Sequence, residues 1–275
     1  MGVSAVSAEA RLYLDLMKKC LTNSIYGEKE YIEVAPAGRI KQIINKAFNA
    51  AGVTLVRTNT YSYQKREKGL DWPPYAHTMI GLARLNNLQE CVEEILRTNV
   101  RGDLIETGVW RGGATIFMRA ILRAYNVNDR YVWVADSFQG LPAPNPTKFP
   151  EDEGDRHHTV KELAISLEEV KGNFGKYDLL DDQVRFLKGW FSDTLPQAEI
   201  RQLALIRLDG DMYESTMDAL VNLYPKLSLG GYVIVDDWGA VDACRRAIED
   251  YRTKHAISDE IHPIDGKGVY WKRSG

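Results

Sequence analysis

Residues 104–114 constrain what this chain can fold into more than any other stretch. The apolar pair Leu104 and Ile105 meets a carboxylate at Glu106, and a turn carrying Gly108, Gly112 and Gly113 follows. Residues 115–122 then show helical spacing. Strand, glycine turn and helix open a doubly wound α/β sheet, because glycine lets the backbone approach a ligand and a helix N-terminus offers free N–H groups. The spacing is not G-x-G-x-x-G. Trp110 and Arg111 fill the turn, which leaves little room for a pyrophosphate and weakens a dinucleotide reading. A plain tight turn between a core strand and a core helix is the alternative.

The rest of the chain supports a sheet of this kind. Strands are expected at 103–107, 131–135, 183–188, 204–208 and 232–235, with helices at 114–125, 160–174, 213–223 and 241–255 between and after them. Residues 225–231, which include Pro225, Gly230 and Gly231, read as a turn. Asp136 ends the second strand about 20 residues beyond the glycines, where such a fold places the acid that accepts ribose hydroxyls. Trp190 and Phe191 follow the third strand and could stack on an adenine ring. A turn at 265–268 joins strands at 259–264 and 269–272 as a hairpin, so the sheet ends with an antiparallel strand. Class I methyltransferases finish this way, whereas nicotinamide dehydrogenases generally do not. A ligand without phosphates, such as S-adenosylmethionine, fits both the turn and the ending.

Before the sheet, residues 8–25 carry a helical stripe of Leu12, Leu16, Met17, Cys20, Leu21 and Ile25. A second helix is expected at 39–50, with Ile40, Ile43, Ile44 and Phe48 on one side. Residues 57–71 are polar and Tyr-bearing, without a clear period. Two prolines, Pro73 and Pro74, make a stiff break. A long helix should then run over 76–97, with His77 and Thr78 in its first turn and His77 structural. Residues 1–71 thus read as a helical extension that caps the core or pairs two subunits as a homodimer; roofing a substrate pocket is the alternative. The acidic, Pro-rich loop at 141–160 leaves the ligand side of the second strand and is long enough for a lid.

Composition removes several function classes. A formal charge of −3 over 275 residues supplies no basic field for nucleic acid. Cys20, Cys91 and Cys244 are far apart and form neither a metal motif nor a disulfide framework, which predicts a reducing, cytoplasmic setting. No apolar run is long enough to span a bilayer, and Glu9, Arg11 and Asp15 interrupt any signal-peptide core, so no membrane partner is expected.

Asp209, Asp211, Asp236 and Asp237 fall at the carboxyl ends of two successive strands, the edge where doubly wound sheets bind ligands. Side by side, those strands would make the carboxylates converge, and converging carboxylates require a cation or protons. With no Cys or His among them, a hard, oxygen-preferring ion such as Mg²⁺ suits the set. Turn or cap duty for Asp211 and Asp237 is the plainer alternative.

Several separated motifs now resemble one family. They are residues 75–81, Glu106-Thr107-Gly108-Val109-Trp110-Arg111-Gly112-Gly113, Ala135-Asp136-Ser137-Phe138-Gln139-Gly140, Gly189-Trp190-Phe191, Asp209-Gly210-Asp211 and Asp236-Asp237. Together they resemble the macrocin O-methyltransferase (TylF-type) family over roughly residues 72–273. The resemblance implies a Rossmann-like class I methyltransferase: a seven-stranded, mostly parallel sheet with an antiparallel last strand, its domain at 72–275 behind the N-terminal helical extension. It implies an O-methyltransferase that uses S-adenosylmethionine and Mg²⁺ on a hydroxyl of a natural-product acceptor, most of all a sugar. Asp209, Asp236 and Asp237 match the metal ligands, and Asp209 also the general base. Thr107 to Arg111 match the cofactor loop that follows Glu106, Asp136 and Ser137 the ribose contacts, and Gly189 and Trp190 the approach to adenine. Thr78 and Met79 border the methyl-transfer pocket. The segment at 27–71, Trp72 and the loop at 143–160 depart from the family's pattern, so the acceptor transfers least. Other readings are a catechol-type enzyme, a polyketide or peptide hydroxyl as acceptor, a non-catalytic cofactor-binding scaffold and, more weakly, a dehydrogenase.

Overall fold

The computed structural model describes residues 7–26, 29–33 and 38–275. The chain opens with α1 (Ala8–Leu21), capped by the Ser7 side chain, which accepts the Ala10 N–H at 3.2 Å. β1 (Lys29–Glu33), α2 (Arg39–Ala50) and β2 (Val56–Thr60) follow, and the two strands pair as a separate antiparallel ribbon. Then come α3 (Tyr63–Glu67), α4 (Gly81–Arg97), β3 (Asp103–Thr107), α5 (Gly113–Ala124) and β4 (Val132–Asp136). After a loop of short 3-10 turns stand α6 (Leu167–Lys176), β5 (Val184–Lys188), α7 (Phe191–Thr194), β6 (Leu203–Leu208) and α8 (Tyr213–Leu223). β7 (Leu227–Val235), α9 (Asp242–Lys254), β8 (His262–Pro263) and β9 (Val269–Lys272) complete the chain.

The main sheet has seven strands in the order β5-β4-β3-β6-β7-β9-β8. The first five in that order are mutually parallel, and β9 runs antiparallel to both of its neighbours. Side-chain alternation along each strand divides the core in two. Leu104 and Leu205 join Leu88, Phe117 and Phe174 on the face covered by α4, α5 and α6. Ile105 and Ile206 join Leu220, Ile248 and Trp271 on the face covered by α8 and α9. Strand order reverses beside β3, which opens a crevice at the carboxyl ends of β3, β4 and β6.

Three local expectations are corrected. In α1 the buried face is Leu14, Met17 and Leu21, while Leu12 and Leu16 are 71% and 53% exposed. Leu14 belongs to the same core cluster as α5, so contacts cross the boundary drawn at residue 71. The long helix begins at Gly81 rather than residue 76. Gly81 has φ +76°, and a Cβ there would strike the backbone of Gly69, so residues 76–80 remain outside the helix. The expected turn at 225–231 is instead mostly strand, because β7 starts at Leu227. Gly230, at φ +82°, accommodates a register shift within β7.

On α2, Ile43, Ile44 and Phe48 are all exposed; the Ile40 side chain and residues 1–6, 27–28 and 34–37 of the extension lie outside the description. Arg66 holds the inner end of the extension together. It is buried and donates to Glu30 at 2.9 Å, Asp71 at 2.7 Å and the Thr22 carbonyl at 2.6 Å.

Candidate active site

A cleft of about 750 Å³ lies over the carboxyl ends of the parallel strands. One wall is the turn between β3 and α5. Gly108 has φ +84°, and a Cβ there would collide with the Asp209 carbonyl, so only glycine lets the β3 and β6 ends come this close. Asp136 organises the turn from beneath. One carboxylate oxygen accepts the Val109 N–H at 2.8 Å and the other the Phe138 N–H at 2.7 Å. Burial raises its pKa, against the pull of those hydrogen bonds. Asp136 is therefore a turn-holder and also part of the cleft surface.

Of the sequence-chosen cofactor residues, Thr78, Met79, Glu106, Gly108, Val109, Trp110, Asp136, Ser137, Gly189 and Trp190 line the cleft. Thr107 and Arg111 do not. Thr107 is buried against the Arg207 carbonyl, and Arg111 reaches back to the carbonyls of Pro74 and Ala76 at 2.8 and 2.9 Å. Arg111 thereby ties the glycine turn to the Pro-rich segment before α4. His77 lies outside the lining; its Nδ1 is 2.7 Å from the Tyr177 hydroxyl, and its carbonyl accepts the Gly113 N–H. Burial, aided by Lys176 and Arg111, lowers its pKa to about 4, so the ring is neutral at pH 7, as its structural reading requires.

The floor of the cleft is acidic. β6 and β7 are parallel neighbours, with Leu208 opposite Val235, so the residues that follow them meet. Asp209, Asp236 and Asp237 each bring a carboxylate oxygen within 4.8 Å of the others. Asp211 lies outside this set, in a left-handed conformation at φ +56°, though it lines the same cleft. Burial first, and then Asp209, push its pKa up to about 7.

Two arginines that the sequence reading passed over complete the floor. Arg207, buried within β6, donates to Glu106 on β3, to Asp209 at 2.6 Å and to Asp236 after β7. Arg84 on α4 donates to the other oxygen of Asp236 and, at 3.0 Å, to Asp265 in the final hairpin. Both oxygens of Asp236 are thus engaged, and its pKa is lowered: Arg207 and Arg84 outweigh the burial that opposes them. Asp237 has no ion-pair partner among the described residues, and burial with Asp211 and Asp209 nearby raises its pKa well above the ordinary value. Glu106 is raised to about 8 by burial, with Arg207 pulling the other way, and its second oxygen has no hydrogen-bond partner. Arg207 was legible in principle, since a lone arginine in an otherwise apolar strand requires a buried counter-charge.

The donor set fits a divalent cation. Glu106, Asp209, Asp211, Asp236 and Asp237 are among the carboxylates that line this cleft, and Arg207 pairs with three of these five from below. All the candidate ligand atoms are oxygens, as hard ions prefer. Among the described residues no helix is long and apolar enough to cross a membrane.

The comparisons agree with this geometry. The family described as Macrocin-O-methyltransferase (TylF) matches residues 10–273. Demethyldecarbamoylnovobiocin O-methyltransferase of Streptomyces niveus is 51% identical over 272 residues, covering 98% of this chain and 95% of that protein. The 8-demethyl-8-(2,3-dimethoxy-alpha-L-rhamnosyl)-tetracenomycin-C 4'-O-methyltransferase of Streptomyces olivaceus is 53% identical over 264 residues, covering 96% and 93%. Among solved structures, the O-methyltransferase NovP superposes with a TM-score of 0.84 at 50% identity, covering 97% of this chain and 100% of that one. The seven-stranded sheet with its antiparallel β9 is accordingly the class I methyltransferase fold.

Proposed function

From the premise that the chain belongs to the macrocin O-methyltransferase (TylF) family, we propose that it moves a methyl group from S-adenosylmethionine to a sugar hydroxyl of a glycosylated natural product, with Mg²⁺ at Asp209, Asp236 and Asp237. The observation that carries this reading is the convergence of those three carboxylates on the floor of a cleft walled by the glycine turn. The sugar acceptor is supported by the rhamnosyl group in the name of one relative.

Each wall has a task. The glycine turn and Asp136 offer a surface for the donor's ribose and amino-acid part, and the unpartnered oxygen of Glu106 suits an ammonium group. Trp190 and Phe191 supply aromatic faces for adenine. The donor's sulfonium carbon is already electrophilic, so the protein's contribution is to place the hydroxyl in line with it and remove a proton. Mg²⁺, when bound, would orient and acidify the acceptor oxygen. Asp209 accepts the hydroxyl proton. Arg207 and Arg84 hold Asp209 and Asp236 in place.

Incubation with labelled S-adenosylmethionine, demethyldecarbamoylnovobiocin and the rhamnosyl tetracenomycin named above tests the assignment. Label should appear on a sugar hydroxyl, vanish with EDTA and return with Mg²⁺. Full transfer after chelation would remove the metal from the proposal; transfer to catechols and to no sugar would replace the acceptor.

We also propose a homodimer. Leu12 and Leu16 on α1 and Ile43, Ile44 and Phe48 on α2 are exposed large apolar residues that a second copy would cover. Sedimentation velocity should give a species of twice the 31.1 kDa chain mass, and a stable monomer at micromolar concentration would reject it.

A further inference from the structure

Among the described residues, the N-terminal extension reaches the cleft through Gly69, Leu70 and Asp71, and Trp72 continues the same lip. The end of α3 delivers them. The Gly69 N–H donates to the Arg66 carbonyl at 3.2 Å and the Leu70 N–H to the Lys65 carbonyl at 2.8 Å, a pairing that stops a helix and turns the chain away from it. The lip rests on the support of the acidic floor. A Cβ on Gly69 would lie 2.8 Å from Nη2 of Arg84, and Arg84 donates to Asp236. Both ends of the lip are pinned. Asp71 accepts from Nε of Arg66 at 2.7 Å, and beyond the stiff Pro73–Pro74 pair the Pro74 carbonyl accepts from Arg111 of the glycine turn at 2.8 Å. On this fixed backbone two large apolar side chains stand in water: Leu70 is 55% exposed and Trp72 48%. The other large apolar residues of the lining, Trp110, Leu141, Trp190 and Phe191 among them, are more covered. Leu70 and Trp72 therefore mark where the apolar wall of the cleft meets solvent.

We propose that Trp72, with Leu70 two residues before it, is the platform that recognises the acceptor's aglycone, the apolar ring system to which the sugar is attached. The inference rests on the reading that this cleft methylates a sugar hydroxyl. That hydroxyl has to lie against the carboxylates of the floor, so the remainder of the acceptor leaves the cleft past the residues that border the floor and open to solvent. The lip does both: Gly69 touches the arginine that holds the floor, and the side chains of Leu70 and Trp72 face water. An indole offers a broad π face to a flat or apolar ring. Because the backbone that carries it is already fixed, little conformational freedom is lost on binding. The platform would make the enzyme prefer a sugar already joined to its aglycone over the same sugar alone.

The test uses the full chain and two acceptors that share one sugar: whichever glycoside of the panel above the wild type methylates, and the methyl glycoside of that sugar. The wild type should prefer the full glycoside in kcat/KM. Trp72→Ala should raise KM for the full glycoside on the order of 10-fold, with kcat and the Kd for S-adenosylmethionine within a few-fold of wild type, and should shrink the preference by the same factor. Calorimetric Kd for the full glycoside, measured with S-adenosylhomocysteine present, should rise in parallel. Trp72→Phe should keep most of the preference, and Leu70→Ala should lose part of it. An equal loss on both acceptors, a loss confined to kcat, or an unchanged preference in Trp72→Ala would overturn the proposal while leaving the functional reading intact. So would a Trp72→Ala variant that sediments as a monomer with acceptor KM unchanged, which would make the indole a subunit contact. A wild type that methylates no glycoside on the panel would overturn the functional reading, and the proposal with it.

Discussion

Asp209→Asn is expected to lower turnover by about 10²- to 10⁴-fold, the range for removing a positioned proton acceptor, while donor binding stays within a few-fold of wild type. The amide keeps the size of the side chain but can neither take the hydroxyl proton nor lend a charge to the acidic floor. The fold should survive, because Arg207 retains Glu106 and Asp236 as partners. Donor binding should survive because the glycine turn is set by Asp136 and by the absence of a Cβ at Gly108, neither of which the substitution touches. Single-turnover rates together with calorimetric titration of S-adenosylmethionine separate the two effects. A variant that kept most of its activity would remove Asp209 as base and as ligand.

Arg207→Met should cost about 3–5 kcal/mol of stability, the usual penalty for leaving buried charges without their partner. For a chain of this size that lowers the melting temperature by roughly 6–20 °C. Arg207 is the point where three strands share one cation: Glu106 from β3, Asp209 from β6 and Asp236 from β7. Methionine fills the space and supplies no charge, so the three carboxylates would repel and draw apart. Mn²⁺ affinity, followed by electron paramagnetic resonance, should fall with the loss of their arrangement. The double variant Glu106→Gln/Arg207→Met should be less destabilised than the sum of the single ones, because removing one carboxylate relieves the repulsion. Strict additivity would mean that Arg207 acts only by filling volume.

Arg207 and Arg84 also explain how this acidic floor can exist in the folded protein before any ligand arrives. Asp236 receives an N–H on each oxygen and stays charged at little cost. Asp237 and Asp211 have no such partner among the described residues, and burial together with neighbouring carboxylates raises the pKa of both. The two arginines thereby hold Asp209 and Asp236 in place, while Asp211 and Asp237 have no cation of their own among the described residues.

The methyltransferase fold disposes of the dehydrogenase reading, and the reason is visible in the strands. β9 inserts antiparallel between β7 and β8, as the short hairpin at 265–268 foretold. β3, α8 and β9 occupy the residues expected of them, because each is bounded by turn residues.

What the sequence determined by itself was the strand–turn–helix order, the glycine turn and the acids at the strand ends. These are local features: alternation, turn chemistry and the position of a charge relative to an apolar run are written within ten residues of one another. Tertiary structure decided the rest. α1 has apolar residues enough for two stripes, and only packing against α5 selects Leu14, Met17 and Leu21 over Leu12 and Leu16. The start of α4 was set by Gly69, twelve residues earlier, pressing on Gly81. The partners of Arg207 and Arg84 lie between 2 and 181 positions away in the chain, and most of them meet only when the sheet is assembled. An ion pair between distant residues leaves no period in a sequence, because its energy depends on a separation in space that the fold alone supplies.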